Sequence, residues 1–262
     1  MTQIGGNIAR HSIVVPGAAR AAFSLSWGAA TDIGRRREHN QDSLLAMSPI
    51  FAVADGMGGH SSGDIASAAV VTRLAEVIGS EFTEQGAIEH GLLAATADIM
   101  LAEDEQQMGV GTTVTGAALT LHGGEAYWAV FNIGDSRVYA FEHNELVQVT
   151  VDHSVVQEMV DAGLISAKEA ETHPKNNIIT RAVGFNADPI PDYWLIPVRA
   201  GLRLLLCSDG LNKEVGDERL RLHLAAGLGA GETARALIDA ALAAGGRDNV
   251  TAVIVDVVES HP

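Results

Sequence analysis

Five aspartates stand where strand-like apolar runs stop or where glycine turns the chain: Asp42 in HNQDS, Asp55 in FAVADGMGG, Asp135 in NIGDSR, Asp209 in LLLCSDGL and Asp248 in GGRDNVT. A carboxylate at the end of a buried strand is costly unless something pairs with it. No run of Lys or Arg is spaced to neutralise all five. Carboxylates, backbone carbonyls and water suit hard divalent cations. A pair of such ions would satisfy the set, and that points to metal-assisted chemistry on a phosphate.

The rest of the composition narrows the classes. The chain has 262 residues, 47% of them hydrophobic, enough for one large domain or two modest ones with ample core. A net charge of −16 disfavours nucleic acid and anionic membrane as partners, because both need cations against their phosphates. The single cysteine, Cys207, lies in the apolar run LRLLLCS and reads as a small hydrophobe. No stretch approaches a membrane span, and the IVV run near the start is too short for a signal-peptide core. The expected location is the cytoplasm and the expected state a monomer.

Along the chain, residues 1–22 read as a flexible leader and residues 23–258 as a single domain. Phe23 to Trp27 alternates like a strand, and SLLAM and IFAVA read as adjacent strands. A helix is expected from about Ser61 to Asp64 onward, with Val70, Leu74, Val77 and Ile78 on one face, and a second over Ala87 to Glu105. Residues 112–121, 126–133 and 136–141 read as strands, as do Leu202 to Leu206 and Val250 to Val258. Residues 231–244 read as a helix ended by Gly245-Gly246. Residues 152–180 read as an inserted helical excursion. Hairpin-like neighbours outnumber βαβ units, which predicts an α+β fold with largely antiparallel sheets and helices on both sides of a two-sheet core.

Glycine beside Asp55 and Asp209 would let the chain turn sharply and a carbonyl approach an ion. One of Arg35, Arg36 and Arg37 could grip a phosphate with its planar fork. Two metals can clamp a phosphoryl group for in-line attack without a covalent protein nucleophile.

The stretches TDIGRRREHNQDS, FAVADGMGGHSSGDIAS, GTTVTGAAL, NIGDSRVYAF, DHS at 152–154, NNIITRAVG, LLLCSDGL and GGRDNVTAVIV together resemble the metal-dependent Ser/Thr protein phosphatases of type 2C in their compact bacterial form. They run in the family's order over roughly residues 25–256. The resemblance implies a four-layer αββα sandwich, two antiparallel β-sheets flanked by helix pairs. It implies hydrolysis of phosphoserine and phosphothreonine by a hydroxide bridging two Mn²⁺ or Mg²⁺ ions. Asp55 would bridge the two ions and the Gly56 carbonyl would bind one. Asp209 and Asp248 would hold the other. Asp42 would act through metal-bound water, Arg37 would bind the phosphate, and Asp135 would serve a third, weaker ion. Residues 152–180 match the variable flap. The implied partners are phosphorylated proteins, including a Ser/Thr kinase or its targets.

Three positions depart from the family pattern. Gln41 stands where many members have Glu. Met57 stands where some have His, so that side chain cannot protonate the leaving group. Lys213 stands where many bacterial members have Asp, and a cation there weakens a third metal by like-charge repulsion.

Two other classes compete. GHSSG at 59–63 fits G-x-S-x-G, the nucleophile elbow of an α/β-hydrolase esterase with Ser61 as nucleophile. Four residues separate it from the preceding strand, and no regular βαβ series follows. A catalytically inactive phosphoprotein-binding module is the other alternative, although it would have no need of a full acidic set.

Overall fold

A computed structural model describes residues 1–17, 23–58, 62–102, 109–185 and 188–259. In chain order the first half contains β1 (Gln3–Gly5), β2 (Ile8–Ile13), β3 (Phe23–Asp32), β4 (Asp42–Met47), β5 (Ile50–Met57), α1 (Ser62–Glu76), α2 (Gln85–Ala102), β6 (Gly111–Thr112), β7 (Val114–His122) and β8 (Glu125–Ile133). The second half contains β9 (Arg137–Glu142), β10 (Glu145–Gln148), α3 (Val155–Asp161), α4 (Ala167–Glu171), β11 (Asp192–Pro197), β12 (Arg203–Cys207), α5 (Asp209–Asn212), α6 (Asp217–Leu224), α7 (Ala230–Ala244) and β13 (Val250–Glu259).

The strands form two sheets, ordered β1-β4-β5-β7-β8-β11 and β10-β9-β12-β13-β3-β2, with β6 paired to β5. All pairings between these strands are antiparallel except β1 with β4. The fold is the expected α+β sandwich, with α1 and α2 packed outside the first sheet and α5 to α7 outside the second.

The near-continuous apolar runs follow from this layering. Side chains alternate across a strand, and here both faces are covered. Leu44, Phe51 and Val53 point between the sheets with Leu204, Leu206, Val253 and Val255. Their neighbours Leu45, Ala52 and Ala54 pack under Val70, Leu74, Ile88 and Leu92 of α1 and α2. On the other side Leu205, Cys207, Ala252 and Ile254 pack under Leu237 and Ile238 of α7.

The flexible leader needs correction. Residues 3–5 and 8–13 are strands, one on the edge of each sheet. Trp27 ties them down: its indole N–H donates to the carbonyls of Gly6 at 2.8 Å and Ala46 at 3.0 Å. Edge strands are covered on one side only, so β1 and β2 carry little burial and little apolar period. The second helix begins at Gln85 and is described to Ala102; the rest of its expected span, residues 103–105, lies outside the described residues.

Candidate active site

Antiparallel pairing of distant strands gathers the aspartates at one end of the sandwich. Asp42 opens β4 and Asp55 lies near the close of β5, and the two are direct register partners. Asp209 follows β12 and Asp248 precedes β13, which pair with each other. Asp135 sits in the turn between β8 and β9. The structure therefore brings all five together, and each raises the cost of charging the next. The Asp55 carboxyl lies well above the ordinary range, first through burial, then through the charges of Asp42, Asp209, Asp135 and Asp248.

Asp42 is fully buried. Burial pushes its pKa up to about 7, although hydrogen bonds from Thr251 and Ser208 work in the other direction. Both hydroxyls donate to the same oxygen, Oδ2, at 2.6 Å from Thr251 and 2.8 Å from Ser208. Oδ1 is buried with no hydrogen-bond partner among the described residues. Burial likewise pushes Asp135 up to about 7, with Asp209 adding to the shift and Lys213 opposing it.

Two cations stand among these acids. The Arg37 guanidinium donates from Nη2 to Asp248 Oδ2 at 2.7 Å, and that hydrogen bond raises its pKa. The Lys213 ammonium donates to Asp209 Oδ2, to Asp135 Oδ2 at 3.4 Å and to Asn177 Oδ1 at 3.0 Å. Burial works against that ammonium, but Asp209 and Asp135 outweigh it and hold its pKa above the usual lysine value.

The donor set fits divalent ions. All five side chains offer hard oxygens, three of them have shifts that burial and like charge drive upward, and Asp42 keeps one oxygen unpartnered. Among the described residues no three His, Cys, Asp or Glu side chains already close on a single point. Asp248 and Asp209 are drawn to Arg37 and Lys213 instead.

The glycines beside the acids serve close packing. A Cβ on Gly56 would lie 1.9 Å from the Gly63 carbonyl oxygen, and one on Gly210 would lie 2.0 Å from that of Asn249. Neither glycine has a positive φ, so the sharp turn expected beside the acids is not their role. Each lets the segment carrying an aspartate press against another backbone.

Several residues that position the site carry no expectation from the sequence. The Asn249 side chain accepts from the Gln41 N–H at 2.8 Å and donates to the carbonyls of Ile33 and His39. It staples the loop that carries Arg37. Thr113 Oγ1 accepts from the Asp55 N–H at 3.1 Å, and Thr112 Oγ1 donates to the Asp55 carbonyl at 2.9 Å. The available signal is the small polar residue near an acid in SDG and DNVT, and the Thr pair of GTTV, which has no acid beside it in the sequence. Of the neighbouring arginines, Arg35 is committed elsewhere: its guanidinium Nε donates to the Leu242 carbonyl at 3.0 Å, and its backbone N–H to the Gly246 carbonyl. His153 is structural: its Nδ1 accepts from the Gly134 N–H at 3.0 Å. Ser61 lies outside the described residues. The esterase reading fails on the fold itself, because its elbow requires a parallel α/β sheet, and β5, the strand before GHSSG, pairs antiparallel with both β4 and β7.

A two-sheet sandwich with oxygen donors at one end is the frame of a known class. The model of the family described as protein phosphatase 2C matches residues 33–244, and the chain belongs to that family. It is 39% identical over 248 residues to the serine/threonine protein phosphatase PstP of Mycobacterium tuberculosis, covering 92% of this chain and 46% of that protein. The chain thus spans about half the length of that curated relative. It is 35% identical over 240 residues to the serine/threonine phosphatase stp of Listeria monocytogenes, covering 86% of this chain and 93% of that one. The crystal structure of the PstP catalytic domain in complex with two manganese ions superposes with a TM-score of 0.78 at 35% identity, covering 90% of this chain and 99% of that chain.

Proposed function

We propose that this chain is a metal-dependent protein phosphatase that hydrolyses phosphoserine and phosphothreonine. The observation that carries this reading is the set of five convergent aspartates, whose charge Arg37 and Lys213 only partly offset. Asp55, the Gly56 carbonyl, Asp209 and Asp248 would hold two Mn²⁺ or Mg²⁺ ions. Such ions supply Lewis-acid polarisation of the phosphoryl group and a water-derived nucleophile at neutral pH.

The chain's own residues do the rest. Thr251 and Ser208 hold Asp42 by one oxygen, which leaves Oδ1 to accept a proton-bearing ligand and orient it. Arg37 is half-exposed at the rim and carries the fork that suits a phosphate. Binding the phosphate would draw it from Asp248. Met57 leaves no side-chain acid at its position for the leaving group.

The substrates are phosphorylated proteins, and a bacterial Ser/Thr kinase or its targets suit the family. The relatives named as serine/threonine phosphatases support this reading. We place the chain in the cytoplasm as a monomer, with residues 23–258 as its phosphatase domain and 152–180 as the flap. Among the described residues no helix is long and apolar enough to cross a membrane.

The test is turnover of a phosphothreonine peptide with Mn²⁺, with and without chelator. Metal-dependent release of phosphate is expected. Metal binding without turnover would instead identify a phosphoprotein-binding module.

A further inference from the structure

Lys213 joins three parts of the molecule that are far apart in sequence. It caps the short helix α5, four residues after Asp209. Its ammonium also reaches Asp135 in the β8–β9 turn, and Asn177 in the inserted segment between α4 and β11. The ammonium is thus surrounded by oxygens from a carboxylate, a second carboxylate and a side-chain amide. That is the donor set a hard cation would otherwise require.

We propose that Lys213 is a built-in cation with two linked roles. It occupies the position between Asp135 and Asp209 in place of a third divalent ion. It also ties the inserted segment to the metal centre through Asn177. The first role restricts the site to two ions and turns Asp209 so that Oδ2 faces the ammonium, leaving Oδ1 for a metal. The second gives the segment a fixed anchor that needs no metal. Other contacts hold the segment further on: Ile179 bridges Ser154, and the Thr180 N–H donates to the His153 carbonyl. The Val155 N–H holds the Ile178 carbonyl. The exposed stretch before it is closed by its own turns, with the Asn176 N–H on the His173 carbonyl, the Ile178 N–H on the Lys175 carbonyl and the Asn176 side chain on the Glu171 carbonyl. The Lys213–Asn177 bond ties that stretch to the acidic cluster. Lys213 is a positioning residue; nothing requires it to touch substrate. The two-ion count rests on the phosphatase reading, whereas the tether does not.

Two measurements on the full chain test this. The first counts Mn²⁺ by equilibrium dialysis and elemental analysis. Two ions are expected for the wild type and for Lys213→Met, and three for Lys213→Asp at millimolar Mn²⁺. Three ions on the wild type, or two on Lys213→Asp, would overturn the substitution role. No Mn²⁺ on the wild type would sink the two-metal reading itself. The second measurement follows amide hydrogen exchange of residues 173–178 without metal. Lys213→Met and Asn177→Ala should each speed exchange roughly tenfold, the factor that losing one charge-assisted hydrogen bond implies. Asn177 is exposed, so Asn177→Ala keeps the fold and should still bind two ions. Exchange unchanged from the wild type in both variants would overturn the tether whatever the metal count.

Discussion

Asp42 and Asp55 face each other as register partners across β4 and β5. Like charges directly opposite one another in a sheet destabilise it. Burial first, and then the charges of Asp42 and the other acids, hold the Asp55 proton well above the ordinary range. Asp55→Asn mimics the protonated form, so it should raise the stability of the metal-free protein at pH 8. A gain of about 1 kcal/mol corresponds to roughly 2–4 °C in Tm for a chain of this size. The same variant should no longer be stabilised by Mn²⁺ and should not turn over phosphopeptide. A variant that melts lower than the wild type without metal, yet still gains stability from Mn²⁺, would contradict the arrangement.

The buried carboxyl of Asp42 sets a pH dependence with a definite sign. Its pKa rises from 3.8 to about 7 on folding. A carboxyl raised in this way contributes stability below its unfolded value and loses it as pH climbs through the folded value. The metal-free protein should lose this contribution between about pH 4 and pH 7. His153, which burial shifts below its ordinary value, acts in the opposite direction. Comparison with Asp42→Asn separates the two. The variant and the wild type should melt alike at low pH, with the variant gaining as pH rises to 8 in the presence of chelator. A difference that stays constant from pH 5 to 8 would show that Asp42 does not titrate in this range.

Arg37 is shared between a carboxylate and the phosphate it is proposed to bind. Its partner Asp248 is 35% exposed and Arg37 itself 51% exposed, so the exchange of one for the other costs little burial. Arg37→Ala should raise KM for a phosphothreonine peptide roughly tenfold and change kcat much less. Mn²⁺ should bind no more weakly, because the variant frees Asp248. A loss confined to kcat, or weaker Mn²⁺ binding, would remove Arg37 from the phosphate.

Gly210 tests whether close backbone contact shapes the site. Its hypothetical Cβ falls 2.0 Å from the carbonyl oxygen of Asn249, a backbone atom that cannot swing aside. Gly210→Ala should cost about 1–3 kcal/mol in denaturant unfolding, as overpacking does. It should weaken Mn²⁺ binding as well, since Asn249 and Asp248 must move together. Gly86→Ala in α2 meets nothing within 4 Å and serves as the control, expected to be neutral or stabilising. Equal stability of the two variants would refute the packing argument.

Much of the sandwich is legible in the chain because both sheet faces are buried. The runs SLLAM and IFAVA read as strands since the apolar residues in them have somewhere apolar to go on both faces. The N-terminal strands were not legible, because they are held by edge pairing, by Trp27 and by only two inward side chains, Ile4 and Ile13, too few to set a period. Nor was β11, where DYWLIP is flanked and ended by proline and is only partly buried. The short helix α5 carries no period at all in its four residues.

The acidic residues, their order and their preference for hard cations were written in the sequence, because donor chemistry belongs to each side chain alone. Which of them share a field was decided only by the tertiary structure. Thr251 reaches Asp42 across 209 residues, and Lys213 reaches Asp135 across 78. Such contacts leave no local pattern. They arise because antiparallel strands from both sheets end at the same edge of the sandwich, and charge interactions depend on that distance rather than on separation along the chain. The same geometry seats Lys213 among the acids and turns a single departure in sequence into a fixed cation beside the site.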